Sequence, residues 1–286
     1  MNPRNPTNSS SSDDPGTDLE VPGGIYLCQV SDTISCGACC GLYNLADLSR
    51  PQLMAGLKRR SQAFARVCRS ADALVAFAEA QTARLARPQP YAGFHHCPFI
   101  GLIGERCQRV GCLLHPLSPD NQGVDFRGLS YYGGMACRIY FCLSTRRLAA
   151  RIKTIVRAAA TDWYTYGLII TERELLEAIF AEIEKRAGRI LRPEEVTADP
   201  RAMDLFRQVL ELKFTWPFRP ARESLCNYFF EDRQYRRPPV DYRRSGGGPS
   251  RYDAIHRELG SFFDSSESLS AADQRLDDLF ERWETL

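Results

Sequence analysis

The spacing of its cysteines constrains this chain more than any other feature. Of eleven cysteines, eight fall in two blocks. The first is the knot Ser35-Cys36-Gly37-Ala38-Cys39-Cys40-Gly41. The second comprises Cys97-Pro98-Phe99, Cys107, Gly111-Cys112, and Cys137-Arg138-Ile139-Tyr140-Phe141-Cys142, with His115-Pro116 inside it. A stretch of helical pattern with a single cysteine, Cys68, separates the blocks.

What such a cluster means depends on the compartment. The first sixteen residues lack the apolar core of a secretory signal, and no apolar run is long enough to cross a bilayer. The expectation is a cytoplasmic chain with no membrane contact, where clustered cysteines are reduced and serve as metal ligands or redox groups more often than as disulfides. With 286 residues, 44% hydrophobic and 25% charged, the chain can bury a substantial core.

Thiolates bind zinc in a tetrahedron at about 2.3 Å, and they also hold iron–sulfur clusters. Both need sulfurs gathered from separate turns. Cys36-Gly37-Ala38-Cys39 is a knuckle that brings two sulfurs to one ion, with Gly37 allowing the tight turn. Cys107 with Cys112, and Cys137 with Cys142, are each a further pair at the same spacing. With Cys40 and Cys97 the candidate ligands number eight, twice what one zinc takes. Two sites, or one site with additional structural thiols, both satisfy the count. Cys39 and Cys40 are adjacent, so both serving one ion is disfavoured. His95, His96 and His115 lie beside the cysteines as alternative ligands, although a hydrogen-bonding role suits isolated histidines better. Packing alone would not call for a CxxCC knot and paired cysteines among glycines. Cys68 and Cys226 stand alone and read as core thiols; Cys28 is intermediate.

The order CGxCCG, CPF, paired cysteines near His-Pro, then CRxxxC resembles the zinc- or iron-chelating domain family named for its CxxCxxCC motif. The resemblance covers residues 28 to 145 and rests on Cys36, Cys39, Cys40, Cys97, Cys107, Cys112, Cys137 and Cys142. It departs from the motif at Thr33, which stands where the first cysteine would fall, so that either the site is one ligand short or Cys28 substitutes. What it implies is metal chelation. One branch is similar to flagellin lysine methylases thought to use an iron–sulfur cluster and S-adenosylmethionine, but none of that branch's catalytic residues matches a position here.

The expected fold is mainly α, a helical protein around an irregular, loop-rich, metal-binding cysteine subdomain. Residues 1–20 read as a disordered tail. The cysteine subdomain spans 21–145, with a helical hairpin inserted at about 49–87, and 146–286 form a helical region packed on it. Ser49-Arg50-Pro51 signals one helix start, and Ser70 to Arg87 a second helix. Tyr91 to Gly134 shows no sustained periodicity, so metal ligation would have to hold it. Leu148, Ile152, Ile155, Val156, Ala159 and Trp163 form the apolar stripe of one helix over 145–166. Thr171 to Glu174 matches a capping box, and Asp199-Pro200 opens another helix closed by Trp216-Pro217. Two more helices finish the chain, over 252–263 and 271–283.

The net charge of +2 says little about partners. Locally, Gly128 to Thr161 has no acidic residue but carries Arg138, Arg146, Arg147, Arg151, Lys153 and Arg157. These cations suit the excess negative charge of a thiolate-bound metal. A second stretch, Arg219 to Arg244, mixes aromatic and basic residues in the manner of single-strand binders, but interspersed acids and the near-neutral total argue against nucleic acid. The expected function is a metal-binding cysteine-cluster protein holding zinc or iron, with its helices open to a protein partner. The alternative is an iron–sulfur-dependent enzyme, an oxidoreductase or an S-adenosylmethionine-dependent protein lysine methyltransferase. A conventional adenosine-cofactor fold is disfavoured, because Gly101-Leu102-Ile103-Gly104 follows no strand in this reading.

Overall fold

The computed structural model describes residues 21–84, 89–91, 93–221, 225, 230–231, 234–235 and 237–286. The expected N-terminal tail and Cys226 lie outside these. The described chain is mainly helical. Eleven α-helices follow in order: α1 (Arg50–Phe64), α2 (Ala71–Ala83), α3 (Gly133–Ile139), α4 (Leu143–Arg147), α5 (Ala150–Ala159), α6 (Trp163–Ile170), α7 (Arg173–Ala187), α8 (Pro193–Ala198), α9 (Pro200–Thr215), α10 (Asp253–Leu259) and α11 (Ser266–Phe280). Strand structure among the described residues amounts to an antiparallel hairpin, β1 (Ile100–Ile103) and β2 (Arg109–Cys112), and a two-residue pair, β3 (Phe230–Glu231) and β4 (Gln234–Tyr235).

Several helix ends follow from their caps. Ser49 is extended before α1, with Pro51 in the first turn. Ser70 accepts from the Ala73 amide at the start of α2, and Asp199 from the Arg201 amide at the start of α9. The capping box forms at α11, between Ser265 and Ser268, and not at Thr171. The Thr171 hydroxyl instead donates back to the Gly167 carbonyl (3.4 Å) at the end of α6. Glu172 then occupies the cap position of α7 and turns its carboxylate inward to Lys213 of α9 (3.0 Å), both side chains being 1% exposed.

The stripe from Leu148 to Trp163 is not one helix: Leu148 follows the end of α4, Ile152, Ile155, Val156 and Ala159 lie on α5, and Trp163 opens α6. The backbone is extended at Leu148, Ala149 and Ala160, and Asp162 restarts the chain by accepting from the Thr165 amide (2.9 Å). All six positions are buried, five in one apolar cluster and Trp163 in another, so the spacing marked buried residues while the continuity it suggested did not hold.

The hairpin β1–β2 falls where no strand was expected, so Gly101 to Gly104 is part of a strand and its turn. The glycines that hid it make it possible. Gly101 faces Gly111 in the register. A Cβ at Gly101 would stand 2.5 Å from Ser61 Oγ, and one at Gly111 2.2 Å from the Ile103 side chain. Ser61 of α1 accepts from the Leu102 amide (2.7 Å) and donates to its carbonyl (3.1 Å), while Arg60 donates to the Ile100 carbonyl (2.8 Å). Thus α1 covers the free edge of β1 with its own polar side chains.

Three apolar clusters result. The largest joins Ile25 and Leu27 to α5–α7, α9, α10 and α11. A second holds Tyr43, Leu53, Leu57, Ile100, Val110, Trp163 and Leu168. The third contains Phe64, Leu74, Phe77, Cys97, Phe99, Leu113 and Leu114. Cys36 packs against the first and second, and Cys40 against the second and third. The cysteine knot therefore sits where all three meet. Among the described residues no helix is long and apolar enough to cross a membrane.

Candidate metal centre

The knot is a single 3-10 turn, Ala38–Cys40, ended by Gly41 in the left-handed region (φ +72°). A side chain at Gly41 would place its Cβ 1.9 Å from the His95 carbonyl oxygen. Only glycine lets the knot lie this close to the segment carrying Cys97. That approach is fixed by the Cys97 amide, which donates to the Cys40 carbonyl at 2.8 Å.

Four further chain segments bring sulfurs to this turn. Cys28 lies beside Cys36, whose amide donates to the Cys28 carbonyl (2.9 Å), next to an antiparallel bridge between Gln29 and Ser35. Cys112 ends β2 opposite Ile100, and the Leu113 amide donates to the Phe99 carbonyl (2.9 Å), so Cys112 borders the Cys97 turn. Cys137, on α3, has its sulfur 3.1 Å from Ser130 Oγ. Cys142 precedes α4, its sulfur 3.4 Å from Thr145 Oγ1.

Burial leads the raised pKa of Cys28, Cys36, Cys97 and Cys112, and neighbouring thiols add to it. Cys28 is pushed up to about 12 by burial, then by Cys39 and Cys142. Burial raises Cys36, with Cys39, Cys142 and Cys28 adding. Cys97 rises to about 11 and Cys112 to about 12, burial again leading, with Cys137 close to both. The side chains of Cys39 and Cys40 hydrogen-bond to each other, which lowers Cys39 and raises Cys40. At neutral pH this environment favours thiols, and a cation is needed to make most of them thiolates.

Fixed cations are at hand. Lys153 is fully buried and donates to the Gly23 (2.8 Å) and Thr145 (2.5 Å) carbonyls; Cys142 acts on its charge. Arg60, also buried, lies within the field of Cys97; Arg127 lies within that of Cys112 and Cys137 but is paired bidentately with Asp125 (2.9 and 2.7 Å). The donor chemistry and this compensation fit a thiolate-bound metal. As placed, however, no three His, Cys, Asp or Glu side chains among the described residues stand close enough to ligate one ion.

The structure separates Cys107 from the other seven expected ligands. It is exposed on the turn between β1 and β2, with positive φ (51°) and its amide bound to Gly104. Cys112 lies at the other end of β2, at least ~10 Å of strand away. Cys28, left aside in the ligand set, is drawn in. The Gln29–Ser35 bridge that does this spans only five intervening residues, and neither arm has strand alternation to announce it. Cys68 is exposed, not a core thiol.

The histidines have other partners. His96 is buried between the Gly41 carbonyl (2.9 Å to Nδ1) and the Arg60 guanidinium (2.9 Å to Nε2), and burial lowers it to about 4. His115 accepts from the Leu117 amide through Nδ1 (3.1 Å). His95 stacks on Tyr131, ring centres 4.0 Å apart. Much of the basic run is likewise engaged internally: Arg138 with Asp125 (2.7 Å), Arg151 with Glu184 (2.8 Å), and Lys153 as above. In the second basic stretch, Arg219 donates to the Leu259 and Lys213 carbonyls and Tyr242 is buried in the largest core.

Set against known proteins, the chain matches no family model, no curated protein and no solved structure.

Proposed function

We propose that this protein is a metal-binding cysteine-cluster protein that holds zinc or iron, the latter as an iron–sulfur cluster, through thiolates gathered around the Cys36–Cys40 turn. One observation carries the reading: the Cys40 carbonyl accepts from the Cys97 amide, so two cysteine blocks separated by the whole of α1 and α2 share one contact at the junction of three apolar cores. The bound metal is chiefly structural. Residues 21–48 and 113–132 contain little helix or strand, and cross-linking the cysteines in and beside them through an ion would convert binding free energy into folding free energy.

Thermal denaturation of the purified full chain with and without a strong chelator tests this. Removal of metal should lower the melting temperature by well over 10 °C. A metal-free protein whose melting is unchanged by chelator contradicts the reading.

A further inference from the structure

We infer that α3 and its flanking residues form a peripheral docking surface for an anionic lipid membrane. Apolar side chains on the outer face of the helix enter the bilayer interface, and neighbouring arginines meet the headgroup phosphates. This inference does not depend on the metal-binding reading.

The apolar side of α3 points away from the body of the protein. None of its residues is buried. Met135 and Ile139, one turn apart, are 77% and 64% exposed, and Tyr132 extends the same stripe three positions earlier. Tyr131 meets Tyr132 edge-on, with 5.0 Å between ring centres. Tyr140 and Leu143 continue the exposed apolar surface past the end of the helix. Cys137, two positions from Met135 and so on the other side, is the residue whose side chain turns to Ser130. Tyr131, Tyr132 and Tyr140 are roughly half to two-thirds exposed. A tyrosine side chain carries about 150–250 Å² of surface, so the three leave about 300 Å² open. Met135, Ile139 and Leu143 bring the patch to the size that marks an interaction site.

The charge around the patch says what covers it. Gly128 to Thr161 has no acidic residue, and Arg138, Arg146 and Arg147 are exposed beside the apolar side chains. Asp125 is shared between Arg127 and Arg138, so those three side chains keep a net positive charge. Arg146 donates through Nε to the Phe141 carbonyl (2.9 Å), which holds its guanidinium near the stripe with donors to spare for a phosphate. An acidic protein would satisfy the same charge, but shape favours a membrane. The residues that anchor a protein interface fill well-packed pockets, whereas a helix with no buried residue projects from the surface. Aliphatic side chains on the stripe, tyrosines at its edge and arginines alongside match the acyl chains, interface and phosphates of a bilayer. The sequence expectation of no membrane contact rested on the lack of a spanning segment. Among the described residues that lack stands, and docking from one side needs no such segment.

Co-sedimentation of the full chain with vesicles tests this, using phosphatidylcholine alone and phosphatidylcholine mixed with phosphatidylserine at physiological salt. The wild type should bind the mixed vesicles at least tenfold more tightly than the neutral ones. Met135→Asp/Ile139→Asp and, separately, Arg146→Gln/Arg147→Gln should each weaken that binding by roughly tenfold or more. Ile190→Asp, at an exposed apolar residue outside the patch, should leave it unchanged. The wild-type comparison needs no variant to fold, and far-ultraviolet circular dichroism checks those that are used. A wild type that ignores anionic vesicles, equal binding to both kinds, or full binding by Met135→Asp/Ile139→Asp would overturn the inference. Retention of the wild type on polyglutamate without binding to anionic vesicles would overturn it in favour of an acidic protein partner. Each of these results leaves the metal-binding reading where it stood.

Discussion

Cys97 and Cys40, fifty-seven positions apart, share a 2.8 Å backbone hydrogen bond, with Cys97 donating and Cys40 accepting. The bond aligns the two cysteine blocks without using either sulfur. Helices α1 and α2 lie between the two in sequence. Gly41 permits it by having no side chain, which makes the glycine the first place to probe.

Gly41→Ala should destabilise the fold by more than the roughly 1–2 kcal/mol of a left-handed non-glycine residue, because its Cβ would also collide with the backbone oxygen of His95. Urea denaturation measures the loss. Gly247→Ala, in open space without positive φ, should change stability by less than about 0.5 kcal/mol.

Lys153→Met should unsettle the Cys142 arm in particular. The substitution leaves the Gly23 and Thr145 carbonyls without their ammonium donor, at a cost of about 1–3 kcal/mol for each buried acceptor left unsatisfied. Equilibrium dialysis against zinc should show weaker binding by the variant than by the wild type.

The buried pair Glu172–Lys213 joins the cap of α7 to α9. Glu172→Gln or Lys213→Met alone should cost about 3–5 kcal/mol, since each removes one member of a buried ion pair. The double variant Glu172→Leu/Lys213→Met should recover most of that loss. Chemical denaturation of all three separates a broken ion pair from lost packing, which would make the double variant the worst.

His256 provides a pH dependence remote from the cysteines. It is fully buried among Trp216, Tyr252 and Phe263; Nε2 donates to Asp273 (2.7 Å), and Nδ1 has no hydrogen-bond partner among the described residues. Burial lowers its pKa, outweighing the opposing effects of Asp273 and Asp253. As pH falls through about 6.5 the unfolded chain takes up a proton that the folded one refuses, so stability is lost from that point down to the folded pKa. His256→Gln should flatten the slope of melting temperature between pH 7 and pH 5. An equal slope in the variant would assign the dependence to other groups.

The helical class was legible because it rests on local signals. Ser70, Asp199 and the Asp199-Pro200 start act within one turn, and the stripe from Leu148 to Trp163 has the right spacing even though Ala160 and Asp162 divide it. The hairpin was illegible because Gly101 and Gly111 owe their presence to Ser61 and Ile103, distant side chains that a local pattern does not include. The same limit explains the ligand set. Spacing pairs Cys107 with Cys112, but a strand between them carries the two apart, and Cys28 enters through a single bridge. Lys153 looked like one cation of a basic helix face; its burial against the Gly23 carbonyl depends on a contact across 130 residues.

X-ray absorption at the metal edge of the purified full chain tests the central claim most directly. Thiolate ligation predicts a shell of four sulfurs at about 2.3 Å for zinc, with added iron–iron scattering if clusters are present. A first shell of nitrogen or oxygen, or a protein that arrives and remains without metal, would contradict it.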